Sequence, residues 1–235
     1  MTSNALMKNA GYYYYTNSQS SNTIPILSGT ATKITDYNTY TVLSGVSGVD
    51  DGWANIPLSA DMDFYFFNNN YGKVGGVSQN LGINWNTNNV IMFGTQVNTI
   101  TWNANTGRGV LIGNYDRRTN TFYYSTVQNS TSPSGYKIIK CYLFYQNVYN
   151  DGVQNGAELQ FRLIRGTSAN SNQAIEVRIN KAASTAGTFN ITNGTTFQNT
   201  FGATVPSTLN TSFVLQGNST GSTWTFHNGS YVNIV

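Results

Sequence analysis

The sequence predicts an all-β protein, an antiparallel β-sandwich of jelly-roll type with long loops and almost no helix. Strong helix formers such as Glu, Lys, Arg and Leu are scarce, whereas the 235 residues include 33 Asn, 30 Thr, 16 Tyr and 12 Phe. Strand-like runs recur between turn residues at the spacing typical of sandwiches and barrels. The length is sufficient for a substantial core without disulfides.

Runs of β-branched and aromatic residues, separated by Gly, Asn, Asp and Ser, define the expected strands. In chain order they are Tyr12–Thr16, Thr30–Asp36, Tyr40–Val46, Asp61–Phe67, Gly82–Trp85, Asn89–Phe93, Asn98–Asn103, Gly109–Tyr115, Thr121–Val127, Tyr136–Val148, Ala157–Arg165, Ala174–Lys181, Thr211–Leu215, Thr223–His227 and Ser230–Val235. Residues 182–210 are rich in Ala, Ser, Thr, Gly and Asn, and we expect long ordered loops with short strands there.

The clearest single unit is a hairpin formed by Ala157–Arg165 and Ala174–Lys181. Apolar and polar residues alternate along both runs, which gives each strand one apolar face and one solvent-exposed face. The connector is turn-like, so the strands pair as an antiparallel hairpin. Glu158 and Glu176 are then expected to be surface charges, with Glu and Arg paired across the strands on the exposed face.

Tyr136–Val148 is a longer run that ends at the turn signal Asn150-Asp151-Gly152. We expect it to cross the core and to be bent or bulged along its length.

The predicted organisation is an N-terminal arm or docking strand, residues 1–20, followed by a single sandwich domain, residues 21–235. The arm contains Tyr12, Tyr13, Tyr14 and Tyr15. Terminal strands commonly tie β subunits together, so these four tyrosines are the candidate interface; the alternative is that they form an ordinary first strand.

Charge and cysteine content exclude several classes of function. Only 9% of residues are charged, the net charge is +3, and no basic run is longer than Arg117-Arg118, so we predict no nucleic-acid partner. Cys141 is the only cysteine and His227 the only histidine, which excludes an internal disulfide and the usual Cys/His zinc sites. No apolar stretch is long enough for a membrane helix, and the N-terminus lacks an apolar signal core.

Catalytic chemistry finds little support in the residues that remain. A catalytic triad would need His227, which lies where a strand enters a turn, and no Gly-x-Ser-x-Gly sequence is present. Asp50 with Asp51, and Asp61 with Asp63, are the nearest carboxylate pairs, but Asp near turns commonly binds its own backbone. We therefore predict no enzyme and no cofactor. The same four aspartates are weak candidates for a structural calcium ion.

Three segments between residues 50 and 85 combine a turn, a hairpin and a strand. Asp50-Asp-Gly-Trp-Ala-Asn-Ile-Pro-Leu58 supplies an Asp-Asp-Gly turn, Phe64-Tyr-Phe-Phe-Asn-Asn-Asn-Tyr-Gly72 a hairpin, and Val77-Ser-Gln-Asn-Leu-Gly-Ile-Asn-Trp85 a strand. Together they resemble the opening of nidogen-like β modules. Gln79-Asn80-Leu81-Gly82 departs from the compact Asn-Gly turn of that pattern. A later segment, Gly113-Asn-Tyr-Asp-Arg-Arg-Thr-Asn-Thr-Phe-Tyr-Tyr124, is also similar. The resemblance implies an adhesive, non-catalytic module of extracellular or particle-surface proteins.

A virus or phage particle reconciles such a surface with the missing signal, since the chain would be made in a host cytoplasm and displayed outside. The leading expectation is a non-enzymatic structural protein of a particle surface: a minor capsid, decoration or fibre-head subunit. Its expected partners are other capsid proteins, further copies of itself and a host-surface glycan. The alternative is a carbohydrate-binding, lectin-like adhesion module, because aromatics and amides together form sugar-binding sites.

Overall fold

Antiparallel strands joined by turns and irregular segments make up the part of the chain that the computed structural model describes. That part comprises residues 6–9, 12–15, 41–42, 53–97, 103–112, 117–124, 126–131, 134–148, 158–167, 172–181, 187–198, 204–205 and 211–228. These ranges contain no helix, which confirms the predicted all-β class. Within them, no helix is long and apolar enough to span a membrane.

The described strands are numbered in chain order. They are β1 (Leu6–Asn9), β2 (Tyr12–Tyr15), β3 (Thr41–Val42), β4 (Trp53–Asn55), β5 (Tyr65–Phe66), β6 (Asn69–Asn70), β7 (Lys73–Val74), β8 (Val77–Ser78), β9 (Ile83–Asn86), β10 (Val90–Phe93), β11 (Arg108–Ile112), β12 (Arg117–Tyr124), β13 (Gln128–Thr131), β14 (Ser134–Val148), β15 (Glu158–Gly166), β16 (Gln173–Lys181), β17 (Gly187–Asn193), β18 (Phe197–Gln198), β19 (Thr204–Val205), β20 (Thr211–Gly217) and β21 (Trp224–Asn228).

Two large antiparallel sheets organise these strands. Sheet I has the order β18-β17-β11-β10-β9-β4, with β19 also paired to β17. Sheet II has the order β21-β20-β16-β15-β14-β12-β3, with β13 also paired to β14. Strands that follow one another along the chain are neighbours in β9–β11 and β14–β16. The sandwich-like character is therefore confirmed, whereas the jelly-roll order of strands stays a prediction.

The core lies between the two sheets and is built around large aromatic side chains. Trp85 of sheet I stacks on Phe161 of sheet II, with ring centroids 5.5 Å apart, and meets Phe122 at 5.7 Å. All three side chains are buried. Aromatic burial of this extent supplies a large part of the hydrophobic stabilisation, and it joins the two sheets.

Sheet I is buried on its outer face as well. Val90, Met92 and Leu111 form a second, smaller apolar cluster on that face. The segment after β10 contributes to its cover: Asn86 Nδ2 donates to the Val97 carbonyl at 2.9 Å, and Val97 packs against the cluster. Burial on both faces explains why β10 reads Val-Ile-Met-Phe without alternation.

The predicted β15–β16 hairpin is confirmed, with Arg162 opposite Glu176 in antiparallel register. The prediction that this face is exposed is wrong, because both side chains are almost completely buried, as are Ile164 and Ala174 on the same face. Alternation in the sequence separated the two faces correctly but could not show that the outer one is covered.

Strand β14 confirms the long central run, and its pairing with β12 shifts register twice, as expected for a bulged strand. The interpretation of residues 182–210 as loops with short strands is correct for β18 and β19. It is wrong for β17, which has seven residues and pairs with β11 inside sheet I.

Asp61–Phe67 is not one strand, contrary to expectation. Met62 makes an isolated bridge to Lys73, and only β5 is extended. The side chain of Asn70 replaces part of the ladder, since its Oδ1 accepts from the backbone N–H of Phe64 at 3.0 Å and of Gly72 at 2.9 Å.

The remaining expected strands fall partly or wholly outside the described residues. Thr30–Asp36 and Ser230–Val235 lie outside them, and of Asn98–Asn103 only Asn103 is described, in no strand.

The N-terminal tyrosines form strand β2, which pairs with β1 as a two-stranded antiparallel sheet. Leu6 lies opposite Tyr15, and Asn9 opposite Tyr12. This small sheet is not hydrogen-bonded into sheet I or sheet II among the described strands. The docking role of the tyrosines stays a prediction.

Candidate functional site

A cleft of about 520 Å³ opens at one end of sheet I. Phe93, the last residue of β10, lies opposite Arg108, the first residue of β11, and Arg108 lies opposite Asn193, the last residue of β17. Three neighbouring strands therefore begin or end at the same place. The lining also includes Asn69, Tyr71, Asn80, Leu81 and Gly94, and we call this site the amide cleft.

Arg108 is held in the amide cleft by two hydrogen bonds. Its Nη1 donates to the Tyr71 hydroxyl at 2.5 Å, and its Nε donates to the Asn193 carbonyl at 3.2 Å. A guanidinium fixed on two sides loses less conformational entropy when it binds a ligand. Arg108 is the only charged residue among those that line the cleft in the described part of the chain.

The asparagines of the cleft are each anchored at one end of the amide. Asn69 Nδ2 donates to the Phe67 carbonyl and Asn80 Nδ2 to the Asn70 carbonyl, both at 2.9 Å. Asn193 is anchored by its oxygen, which accepts from two backbone N–H groups of the following turn at 2.9 Å. Anchoring fixes the direction of the opposite end of each amide.

The turn between β8 and β9 contributes Asn80 and Leu81 to the rim. Asn80, Leu81 and Gly82 have consecutive positive φ angles of 47°, 63° and 70°, and the Gly82 N–H donates to the Gln79 carbonyl at 2.7 Å. A left-handed leucine is strained, since its Cβ crowds the backbone. This is the point at which the sequence departs from a compact Asn-Gly turn.

Gly94 lies where the cleft wall is closely packed. Its φ is +69°, and a Cβ at this position would lie 2.5 Å from Tyr71 Cε1 and 2.9 Å from the Asn80 carbonyl oxygen. The glycine therefore allows the end of β10 to approach the tyrosine that holds Arg108.

A second, smaller cleft of about 260 Å³ is lined by Asp61, Asp63, Lys73 and Lys137, among others. We call it the charged cleft. It brings together two of the four aspartates singled out from the sequence; Asp50 and Asp51 lie outside the described residues.

Asp61 is engaged with backbone and cations. Its carboxylate accepts from the N–H groups of Gly75 at 2.7 Å and Gly76 at 2.9 Å, in the turn of the β7–β8 hairpin. The Gly76 hydrogen bond is the main reason why the pKa of Asp61 lies below its usual value. Desolvation opposes this effect, and the Gly75 hydrogen bond and the charges of Lys73 and Lys137 lower the pKa further. A general acid needs the opposite shift.

Asp63 pairs with Arg165, whose Nη2 lies 3.3 Å from Asp63 Oδ2. With Lys73 and Lys137, three cations therefore surround the two aspartates. These positive charges disfavour Ca²⁺, which prefers six to eight oxygen ligands. Among the described residues, no group of three or more His, Cys, Asp or Glu side chains is placed to hold a metal ion.

His227 and Cys141 are not among the described residues that line the two clefts. His227 lies on β21 opposite Val214, and its side chain is outside what the structure describes. Cys141 is buried in the core, and desolvation raises the pKa of its thiol well above the usual value.

Sequence reasoning missed the residues of the amide cleft. Nothing in the sequence sets Arg108 apart from the other arginines, or Tyr71 and Asn193 from the many other Tyr and Asn. The departure at Asn80-Leu81 was the one available signal. No protein-family model, curated protein or solved structure matches this chain.

Proposed function

We propose that this chain is a non-enzymatic structural protein of a virus or phage particle surface, a minor capsid, decoration or fibre-head subunit, and that the amide cleft is its attachment site. The observation that carries the proposal is the chemistry of the cleft. It offers amides, hydroxyls and one guanidinium, and no carboxylate among the described residues that line it. Such groups bind a ligand, and they do not include the pair of carboxylates that glycoside hydrolysis requires.

The assembly part of the proposal rests on composition and on the N-terminal strands. With 9% charged residues, contacts between subunits can form without burying many unpaired charges. The tyrosines of β2 would supply aromatic contact area, and β1–β2 is hydrogen-bonded to neither large sheet among the described strands. Expected partners are other particle proteins and further copies of this chain.

Density-gradient purification of particles from cells that make the chain tests the assembly role. We expect the chain to sediment with the particles at a constant ratio to their main protein. Deletion of residues 1–20 should abolish incorporation while the thermal unfolding of the remaining chain is preserved. A full-length chain that stays in the soluble fraction would falsify the particle assignment, and normal incorporation of the deletion variant would remove the docking role of the arm.

A carbohydrate-binding module that acts as a free protein is the second candidate, and the amide cleft favours it. Amide and hydroxyl groups at a strand end are suited to sugar hydroxyls. Glycan binding by a chain that never joins particles would support this candidate over the first.

A further inference from the structure

We propose that the amide cleft binds an acidic saccharide whose carboxylate pairs with Arg108. This inference rests on the attachment role proposed above and names the class of ligand. Nε and Nη1 of Arg108 are occupied by Asn193 and Tyr71, and the described part of the chain gives Nη2 no partner. Nη2 therefore keeps two N–H donors for a ligand, and guanidinium–carboxylate hydrogen bonds are among the stronger ones in proteins.

The amides provide acceptors and donors for the sugar hydroxyls. Because Asn69 and Asn80 donate their Nδ2 hydrogens to backbone carbonyls, each keeps Oδ1 as an acceptor. Asn193 is anchored through Oδ1 and keeps its Nδ2 donors. Tyr71 accepts from Arg108, so its own O–H is available as a donor. A ligand that both donates and accepts at several positions matches this set, and saccharide hydroxyls do both.

The size and shape of the cleft agree with a small saccharide. Its volume of about 520 Å³ lies within the range of small-molecule sites, roughly 300–1,000 Å³. Leu81 on the rim is 62% exposed and offers an apolar contact to the carbon face of a sugar. The left-handed conformation of Leu81 is strain of the kind that recurs at ligand-binding sites.

The charge of the cleft selects a single anionic group. Arg108 is the only cation among the described lining residues, and no lining carboxylate opposes it. A nucleic acid or another polyanion would require several cations along its path. A carboxylate is also more basic than a sulfate ester, so its oxygens accept a stronger charge-assisted hydrogen bond from Nη2 than the oxygens of a sulfated sugar do.

Calorimetric titration with matched sugars tests this inference on the full-length chain. The probes are sialyllactose, tri-galacturonate, lactose, tri-galactose and lactose 3′-sulfate. We expect at least one carboxylated probe to bind at least about tenfold more tightly than its neutral counterpart and than the sulfated probe. Equal binding of carboxylated and neutral sugars, preference for the sulfated probe, or binding of none would overturn the inference.

Variants of the cleft provide the second test. Arg108→Lys keeps the charge but has a single nitrogen, which cannot hydrogen-bond Tyr71, Asn193 and the ligand in the same geometry, and we expect at least about tenfold weaker binding of the carboxylated probe. Asn80→Asp introduces a carboxylate at the rim and should weaken the acidic probe more than the neutral one. Lys137→Gln removes one positive charge from the charged cleft and is the matched control, expected to bind as the parent does.

The outcomes separate this inference from the function on which it rests. If variants and parent keep the same thermal midpoint but Arg108→Lys binds unchanged, Arg108 does not recognise the carboxylate and the inference fails. If no sugar binds while the chain still sediments with particles, the inference fails and the assembly role stands. Loss of particle association with intact acidic-sugar binding has the opposite meaning: it contradicts the assembly role and supports the ligand assignment.

Discussion

Arg162 and Glu176 lie opposite each other on β15 and β16 and form an ion pair that the protein buries almost completely, with 2% and 0% of the two residues exposed. Arg162 Nε also donates to Glu176 Oε2. On the outer face of sheet II, this charged pair occupies a buried position where apolar side chains would ordinarily pack. Charges removed from water to this extent depend on each other, because either one alone would be buried without compensation.

Breaking this pair is therefore expected to be costly. Glu176→Gln keeps the shape of the side chain but removes its charge, and should lower the free energy of unfolding by about 3–5 kcal/mol. The double variant Arg162→Met, Glu176→Leu should lose much less, since neither charge remains. Urea denaturation of the parent, the single variant and the double variant measures both effects. Equal losses in the single and double variants would show that packing, not charge, dominates.

Gln173 is expected to fasten the β5 segment to sheet II. Its Oε1 accepts from the Tyr65 N–H at 2.9 Å and its Nε2 donates to the Tyr65 carbonyl, so a side chain pairs with backbone as a strand would. Gln173→Ala should cost about 1–3 kcal/mol, because it leaves two backbone groups without these partners. Hydrogen exchange of the Tyr65 amide should accelerate more than global unfolding explains; unchanged protection would contradict the prediction.

The stability of the β7–β8 hairpin should depend on pH through Asp61. Because the pKa of Asp61 in the folded protein lies below its ordinary value of 3.8, ionised Asp61 stabilises the fold at pH above 3.8. That contribution is lost as the pH falls through the folded pKa. Urea midpoints measured from neutral to acidic pH should favour the parent over Asp61→Asn, with the difference shrinking in acid. A difference that does not change with pH would exclude the carboxylate as its cause.

Leu81 is expected to lower the stability of the fold and to contribute to ligand binding. Leu81→Asn relieves the left-handed strain and is expected to raise the free energy of unfolding by about 0.5–1 kcal/mol. Val77 is equally exposed and has no positive φ, so Val77→Asn is the matched control and should not be stabilising. Thermal unfolding compares the two. The stabilised Leu81→Asn variant should bind the acidic probe more weakly, and unchanged binding would remove Leu81 from the site.

Cys141 should react only after unfolding. Burial removes solvent from the thiol and raises its pKa, and the thiolate is the reactive form. A thiol reagent such as DTNB should therefore label the native protein slowly and the urea-unfolded protein at once. Cys141 is the only cysteine, so the labelling rate reports on one site. Rapid labelling under native conditions would show that the sheet opens locally around β14.

The amide cleft shows where prediction from sequence reached its limit. Phe93, Arg108 and Asn193 are 15 and 85 residues apart along the chain and become neighbours only through the register of β10, β11 and β17. Nothing in the local sequence distinguished Asn193 from the other 32 asparagines. Asp61 and Asp63 stand out in the sequence because they are two residues apart, and the structure surrounds them with cations instead of metal ligands.

Local sequence by itself determined the all-β class and the β15–β16 hairpin, because alternation of apolar and polar residues and the preference of turn residues are properties of short segments. Tertiary structure decided what covers each face. Arg162 and Glu176 alternate as surface residues do, yet they are buried, since burial depends on contacts between distant parts of the chain. Contacts between distant parts of the chain also bring Arg108 to Tyr71 and so form the amide cleft.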